Sequence, residues 1–264
     1  MQKKNSMGAF FPYIVILVCA GISVLIFMFL LGNVNNFADP GREHPLKGNL
    51  MGLMYKGGWL VPIILTMLLM VLVFSIERLI TLMRARGRGN VSNFVRKIQF
   101  HLTNGDLDAA EAECDMQRGS VANVVKNGVR KYREMLTATD LSHEQKLLAI
   151  QKEVEESTSL ELPMLQRNLP FIATIAPLGT LGGLIGTVFG MIRSFSAMGQ
   201  SGAADSVALS IGISEALVNT ATGITTSALA IIFYNIFSTQ IDSLTYLIDE
   251  AGYSITNTFD SKQK

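Results

Sequence analysis

Residues 169–192 read LPFIATIAPLGTLGGLIGTVFGMI, 24 positions without a charged side chain. An α-helix needs roughly 20 apolar residues to cross about 30 Å of hydrocarbon, so this run is long enough to span a bilayer. It is also patterned. Gly182-x-x-x-Gly186-x-x-x-Gly190 repeats a small-xxx-small spacing, and Gly183 lies beside it. In lipid such faces let helix backbones approach and pack by dispersion, so Gly182, Gly183, Gly186 and Gly190 are the expected packing residues. Thr180, Thr187 and Ser194 recur at seven-residue spacing as a row of hydroxyls. A phosphate-binding glycine loop would need a strand before the glycines and Lys-Ser/Thr after them; neither is present.

Three further uncharged runs accompany it: 9–32, 59–76 and 216–238, of 24, 18 and 23 residues. The second reaches spanning length once Leu79–Met83 extends it past Glu77 and Arg78. The first follows Lys3 and Lys4, as a signal peptide would. It is long for a signal core, and no small-x-small cleavage site follows, so it reads as a retained span. The 22 Lys and Arg divide as 2 before the first run, 3 in 33–57, 14 in 77–167, 1 in 193–215 and 2 at the C-terminus. Basic residues favour the cytoplasmic side. With Arg84, Arg86 and Arg88 next to the second run, both termini are expected in the cytoplasm.

Between the second and third runs lies a polar helical region. Val91, Phe94, Val95 and Ile98 follow the i, i+3, i+4, i+7 pattern. Asn104-Gly105-Asp106 and Arg118-Gly119-Ser120 break the helix, Val124, Val125 and Val129 mark one face of the next, and Ser142-x-x-Gln145 is a capping box. Pro163, Pro170 and Pro177 recur every seven residues; they read as ordinary kinks or as a hinge below the membrane. Asp39-Pro40-Gly41 and Gly57-Gly58 are turn signals in the short segment 33–57.

The last run carries the polar residues hardest to place in lipid. Glu215 is the only charge from 206 to 238. A buried ionisable group in a span is a functional candidate by default; the bland alternative is a cap at headgroup depth. Glu215, Asn219, Thr222 and Thr226 are spaced 4, 3, 4 and share a face, with Thr220, Thr225 and Ser227 nearby. Two hydroxyl-bearing helices suggest a hairpin beside a hydrated path. Nothing indicates an enzyme. His44, His101 and His143 are scattered without a two-His metal spacing, no Gly-x-Ser-x-Gly elbow occurs, and Cys19 and Cys114 lack metal-type neighbours. No cofactor or metal is expected. A net charge of +1 gives no field for nucleic acid.

Here a family resemblance enters. Gly183-Leu184-Ile185-Gly186-Thr187-Val188-Phe189-Gly190-Met191-Ile192 is similar to the Gly-Leu-Leu-Gly-Thr-Val-x-Gly-Met-Ile signature of ExbB and TolQ. Gly212-Ile213-Ser214-Glu215-Ala216-Leu217-Val218-Asn219-Thr220-Ala221-Thr222-Gly223 resembles their last-span signature, followed by Tyr234-Asn235. Gly57-Gly58-Trp59, Pro62 and Glu77-Arg78 resemble the first shared span, and Phe94, Gly105-Asp106 and Cys114 the cytoplasmic domain. The likeness covers about 55–264 of the sequence. The span 9–32 is additional, Pro177 lies ten residues before Thr187 where the family more often has its proline at the position of Thr180, and Asn219 replaces a commonly small residue.

The resemblance to the ExbB/TolQ/MotA family implies an all-α integral membrane protein of the bacterial inner membrane. It implies a homopentamer around two copies of a single-span ExbD- or TolR-like partner bearing an aspartate, with a TonB-like protein beyond. Thr187 and Thr220 would face the lumen and Glu215 its outer mouth. The expected order is a tail 1–8, an extra span 9–32, a periplasmic segment 33–57, a span 58–83, a cytoplasmic helical domain 84–168, a span 169–192, a periplasmic loop 193–205, a span 206–238, and a C-terminal helix and tail 239–264. One charge crossing 100 mV yields about 2.3 kcal/mol, so several protons suffice for a mechanical cycle. An ExbB-like stator for TonB-dependent transport is the leading reading. A TolQ-like or motility stator is the rival within the family, and a non-conducting scaffold is the rival outside it. Hydroxyl rows suit protons and sodium ions alike.

Overall fold

The computed structural model describes residues 7–42, 44–46, 48–201 and 206–262. Residues 1–6 of the expected N-terminal tail, 202–205 of the expected loop, 263–264 of the expected C-terminal tail, and positions 43 and 47 lie outside the described residues. Among the described residues the regular structure is helical, with one isolated antiparallel bridge between Phe37 and Pro45. Helix α1 (Met7–Leu25) continues as a π-helical turn (Ile26–Leu31), followed by a 3-10 turn (Val34–Asn36) and a short α2 (Leu50–Tyr55). Then come α3 (Leu60–Arg86), α4 (Val91–Asn104), α5 (Leu107–Gln117), α6 (Gly119–Thr137), α7 (His143–Gln166), α8 (Leu169–Ser201) and α9 (Ser206–Lys262). Four of these, α1 with its π-helical turn, α3, α8 and α9, are long and apolar enough to cross a membrane. The fold is that of an all-α integral membrane protein.

The helices outrun the apolar stretches. Helix α8 passes residue 192 and continues to Ser201, and α9 joins the last apolar run to the C-terminal helix without a break. A charge such as Arg193 limits how far hydrocarbon can cover a helix, but it does not end the helix. The prolines do not mark the break either. Pro163 lies inside α7 and Pro177 inside α8. Pro170 is the second residue of α8, where its missing N–H has no intrahelical partner to lose. The chain turns instead at Arg167–Asn168, with Asn168 left-handed at φ 62°, a conformation asparagine tolerates better than most residues.

The chain divides into two compact units. The first comprises 1–76 and 168–234. Within it, α1 buries a narrow stripe of Val15, Cys19 and Ser23. The Ser23 hydroxyl donates to the Pro62 carbonyl at 2.7 Å and lies 2.8 Å from the Thr66 hydroxyl, fastening α1 to α3. Phe74 stacks on Phe171, tying α3 to α8.

The α8–α9 hairpin closes on glycines. A Cβ on Gly183 would stand 3.1 Å from the Asn219 carbonyl oxygen and 3.2 Å from the Thr220 Cα. One on Gly190 would stand 2.7 Å from the Gly212 carbonyl oxygen, and one on Gly186 would collide with the Asn219 side chain. Gly223 answers from α9, where a Cβ would lie 2.8 Å from the Gly183 Cα. The seam is therefore Gly179, Gly183, Gly186 and Gly190. Gly182, expected in it, faces α3 instead, and its nearest neighbour would be Ile64 Cγ1 at an ordinary 3.6 Å. A four-residue step overshoots a helical turn, so Gly182 and Gly190 drift to different neighbours.

The second unit comprises 77–167 and 235–264. Its helices begin and end as their local chemistry dictates. Asn90 and Asp106 cap α4 and α5, Gly105 closes α4 in the left-handed region, and Ser142 with Gln145 forms the capping box of α7. Val91, Phe94, Val95, Ile98, Val124, Val125 and Val129 are all buried, as their spacing indicates. From α9 a seam of Ile241, Leu244, Ile248, Ala251, Ile255 and Phe259 completes the core. Arg78 is fully buried: its guanidinium binds both Glu77 carboxylate oxygens, at 2.6 and 2.8 Å, and donates to the Leu165 carbonyl at 3.0 Å. It thus satisfies a last-turn carbonyl of α7 that has no intrahelical donor.

Three outcomes follow. Gly186→Leu should abolish recovery of monodisperse protein, because packing is the main attraction between helices in lipid. Gly182→Ala should match or exceed the parent, since alanine gains up to about 1 kcal/mol of helix propensity. Equal yields for Gly186→Leu and the parent would refute the seam. Arg78→Met keeps the apolar stem but removes the ion pair to Glu77 and the donor to the α7 carbonyl, and should cost about 3 kcal/mol. Denaturation in detergent measures this, and a parent-like midpoint would show that the guanidinium is dispensable.

Candidate ion-pathway site

The polar residues of the α8–α9 hairpin fall into two sets. Glu215, Asn219 and Thr226 are buried within the chain, at 4%, 1% and 0% exposure. Glu215 accepts from Arg193 Nη1 of α8 at 2.7 Å. Its carboxylate sits against Gly58, whose φ of +75° and lack of a side chain both permit the approach. Asn219 Nδ2 donates to the Gly57 carbonyl at 2.8 Å, while its Oδ1 is buried with no hydrogen-bond partner among the described residues. Thr226 returns its hydroxyl to the Thr222 carbonyl. The face at spacing 4, 3, 4 is thus the one that grips the Gly57–Gly58 turn and α8. A polar stripe on a membrane helix shows that the face avoids lipid, and protein serves that purpose as well as water does. Within the single chain these three side chains are enclosed by protein.

The second set is more open. Thr180 is exposed on α8, and Thr187 is partly exposed, its hydroxyl donating to the Leu184 carbonyl at 2.6 Å. Thr187 lines a shallow groove with Val188, Met191, Ile192 and Phe195. Ser194, third in the hydroxyl row, is instead buried and bonds the Gly190 and Leu209 carbonyls. Thr220 and Thr222 are half-buried. The Thr220 hydroxyl lies 3.1 Å from the Ala216 carbonyl and 3.3 Å from that of Gly183, and Thr222 donates to Val218. The hydroxyls of Thr180 and Thr187 can turn to a passing donor or acceptor, because back-bonding to a carbonyl one turn earlier is weak.

Several contributors escaped the sequence reading. Arg193 was visible as the only basic residue of 193–215, yet nothing in its spacing named Glu215 as its partner 22 residues away. Ser227, which donates to the Ala176 carbonyl at 2.6 Å, looked like one more hydroxyl. Gly212 and Gly223 lacked the strict four-residue spacing, and Gly179, four residues before Gly183, lay outside the 182–186–190 row. Elsewhere, burial pushes the Cys114 thiol up to about 12, so it offers no thiolate at neutral pH. Among the described residues no group of three His, Cys, Asp or Glu could hold a metal ion.

Comparison with known proteins follows this geometry. A stretch of 86 residues is 41% identical to a Synechocystis protein named ExbB-like 3, covering 32% of this chain and 41% of the relative. The Tol-Pal system protein TolQ of Pseudomonas aeruginosa is 27% identical over 124 residues, 47% of this chain and 54% of the relative. The biopolymer transport protein ExbB of Salmonella typhimurium is 38% identical over 77 residues, 29% of this chain and 32% of the relative. The matched stretches thus span between about a third and about half of these relatives' lengths. The profile of the MotA/TolQ/ExbB proton channel family matches residues 117–250, which is 134 of the 264 residues and takes in the whole hairpin from α8 to the apolar part of α9. This multi-pass membrane protein belongs to the MotA/TolQ/ExbB proton channel family.

Proposed function

We propose that the chain is an ExbB-like stator and channel subunit of the bacterial inner membrane, coupling proton-motive force to TonB-dependent outer-membrane transport. Five copies surround two copies of an ExbD/TolR-like single-span subunit, and both termini of this chain are cytoplasmic. One observation carries the reading: the hairpin's carboxylate, Glu215, is already paired inside the chain, while the hydroxyls of Thr180 and Thr187 stay open on α8. A path lined by hydroxyls alone can pass a proton but cannot hold it, so the titrating carboxylate comes from the partner. Thr180 and Thr187, with Thr220 and Thr222 behind them, form the wall of the path. Glu215, Asn219 and Thr226 brace that wall. The TolQ-like alternative draws support from the Pseudomonas TolQ match, the longest of the three stretches compared.

Co-purification from membranes with mass measurement tests the assembly. A 5:2 complex with an aspartate-bearing single-span subunit is expected, and isolation of a homomer alone would count against it. Cross-linking to a TonB-like rather than a TolA-like protein separates the two stator readings. Proton flux in liposomes separates both from a non-conducting scaffold.

Three variants probe the residue roles. Thr187→Ala should leave the assembly intact and lower proton flux about fivefold, the worth of one hydrogen bond of about 1 kcal/mol; undiminished flux would remove Thr187 from the path. The Arg193–Glu215 pair is lopsided, with side chains 61% and 6% exposed. Arg193→Gln should therefore harm stability more than Glu215→Gln, because it strands a buried carboxylate rather than a solvated guanidinium. The opposite order, measured by denaturation in detergent, would mean that Glu215 has another partner.

A further inference from the structure

Most of the segment between α1 and α3 lies ahead of the family resemblance, which begins near residue 55, and the segment folds tightly onto the end of the first span. The π-helical turn leaves last-turn carbonyls without helical donors. Asn36 Nδ2 meets two of them, at 2.8 Å from the Leu30 oxygen and 3.0 Å from that of Leu31. Asn49 caps α2 and also reaches Asn36 Oδ1 at 3.1 Å. Tyr55, the last residue of α2, stacks on Phe27 with ring centroids 4.8 Å apart, and a Cβ on Gly32 would lie 2.6 Å from its ring.

These contacts fix a depth. Phe27 belongs to the membrane-crossing stretch Phe10–Leu31, four residues short of its end. A π-helical residue advances less than the roughly 1.5 Å of an α-helical one, so Tyr55 reaches no more than about 6 Å below the top of that span. The chain around it is apolar where it is exposed: Val34, Leu46, Leu50 and Met51 are 43 to 73% exposed, and Trp59, at the start of α3, is 55% exposed. Arg42 lies 5.8 Å over the Tyr55 ring, with Nη1 3.4 Å from the hydroxyl. Apolar side chains at this depth beside an aromatic belt and a basic group match a segment lying in a bilayer interface, where apolar faces sink about 5–10 Å.

We propose that the described residues of 33–57 form a lipid-bound foot on the first span, with α2 lying in the headgroup layer and Leu46, Leu50 and Met51 inserted among the upper acyl segments. The occupant of this apolar surface is lipid, because the segment is tied at both ends to helices that end at the same bilayer surface. Arg42 meets the lipid phosphates.

Trp59 is the only tryptophan, so Trp59→Phe gives a silent background. Leu50→Trp or Met51→Trp in that background, with full-length protein in liposomes, reports the depth of α2. The expected result is blue-shifted emission, loss of most of it when the lipids carry bromine near the headgroup end of their chains, and protection from acrylamide. Emission as in water, quenched by acrylamide and untouched by bromolipids, would overturn the proposal. Shielding from both quenchers would overturn it too, since that is the mark of a covering protein. Both exposed positions accept tryptophan sterically, and agreement between the two excludes a local folding artefact.

Discussion

The closeness of α8 and α9 governs the rest. At Gly183 and Gly223 the two backbones approach so nearly that a single methyl has no room. In lipid no hydrophobic force drives two helices together, so contact area must come from shape. Glycine is the only residue that permits it, at the cost of helix propensity. The approach also brings backbone carbonyls of one helix within reach of hydroxyls on the other, as Ser227 to Ala176 and Thr220 to Gly183 show. The polar chemistry of the hairpin is thus a consequence of its packing.

The clamp beside the seam follows from the same geometry. With Gly186 and Gly190 opening space on α8, the longer side chains of α9 can cross to the turn before α3. Asn219 fills the hollow over Gly186 and anchors Gly57, while Glu215 settles on Gly58 and recruits Arg193. Three helices are thereby joined at one polar knot inside an apolar unit. Its members are unequal: losing Arg193 strands the buried Glu215 carboxylate, whereas losing Glu215 leaves a guanidinium that water already reaches.

Much of this was readable in the sequence, for physical reasons. The four spans follow from run length alone, and the helices of 91–166 from capping residues and hydrophobic period, down to the Ser142–Gln145 box. The faces of the membrane helices were less legible. In water a polar stripe points to solvent, but inside lipid the stripe of Glu215, Asn219 and Thr226 is equally content against a lumen or a neighbouring helix. Periodicity cannot separate the two. Gly182 shows a related limit: a four-residue spacing names a family of neighbouring faces, and only the partner's position selects one, here α3. Arg193 was plain to see, but pairing across a helical hairpin depends on its register, which no local pattern carries.

The π-helical turn at Ile26–Leu31 has a consequence for where the chain is comfortable. Wider turns advance less along the axis for each residue, so the first span covers less thickness than its 22 residues would as a regular α-helix. Asn36 holds the turn in that form by answering its freed carbonyls. The first span is therefore lower than a regular α-helix of the same residues, and the two Asn36 hydrogen bonds fasten its end. Mismatch between span and bilayer costs fractions of a kcal/mol per Å and sorts proteins between membranes. A helix with such a built-in adjustment suits a thinner bilayer than its sequence length alone would suggest.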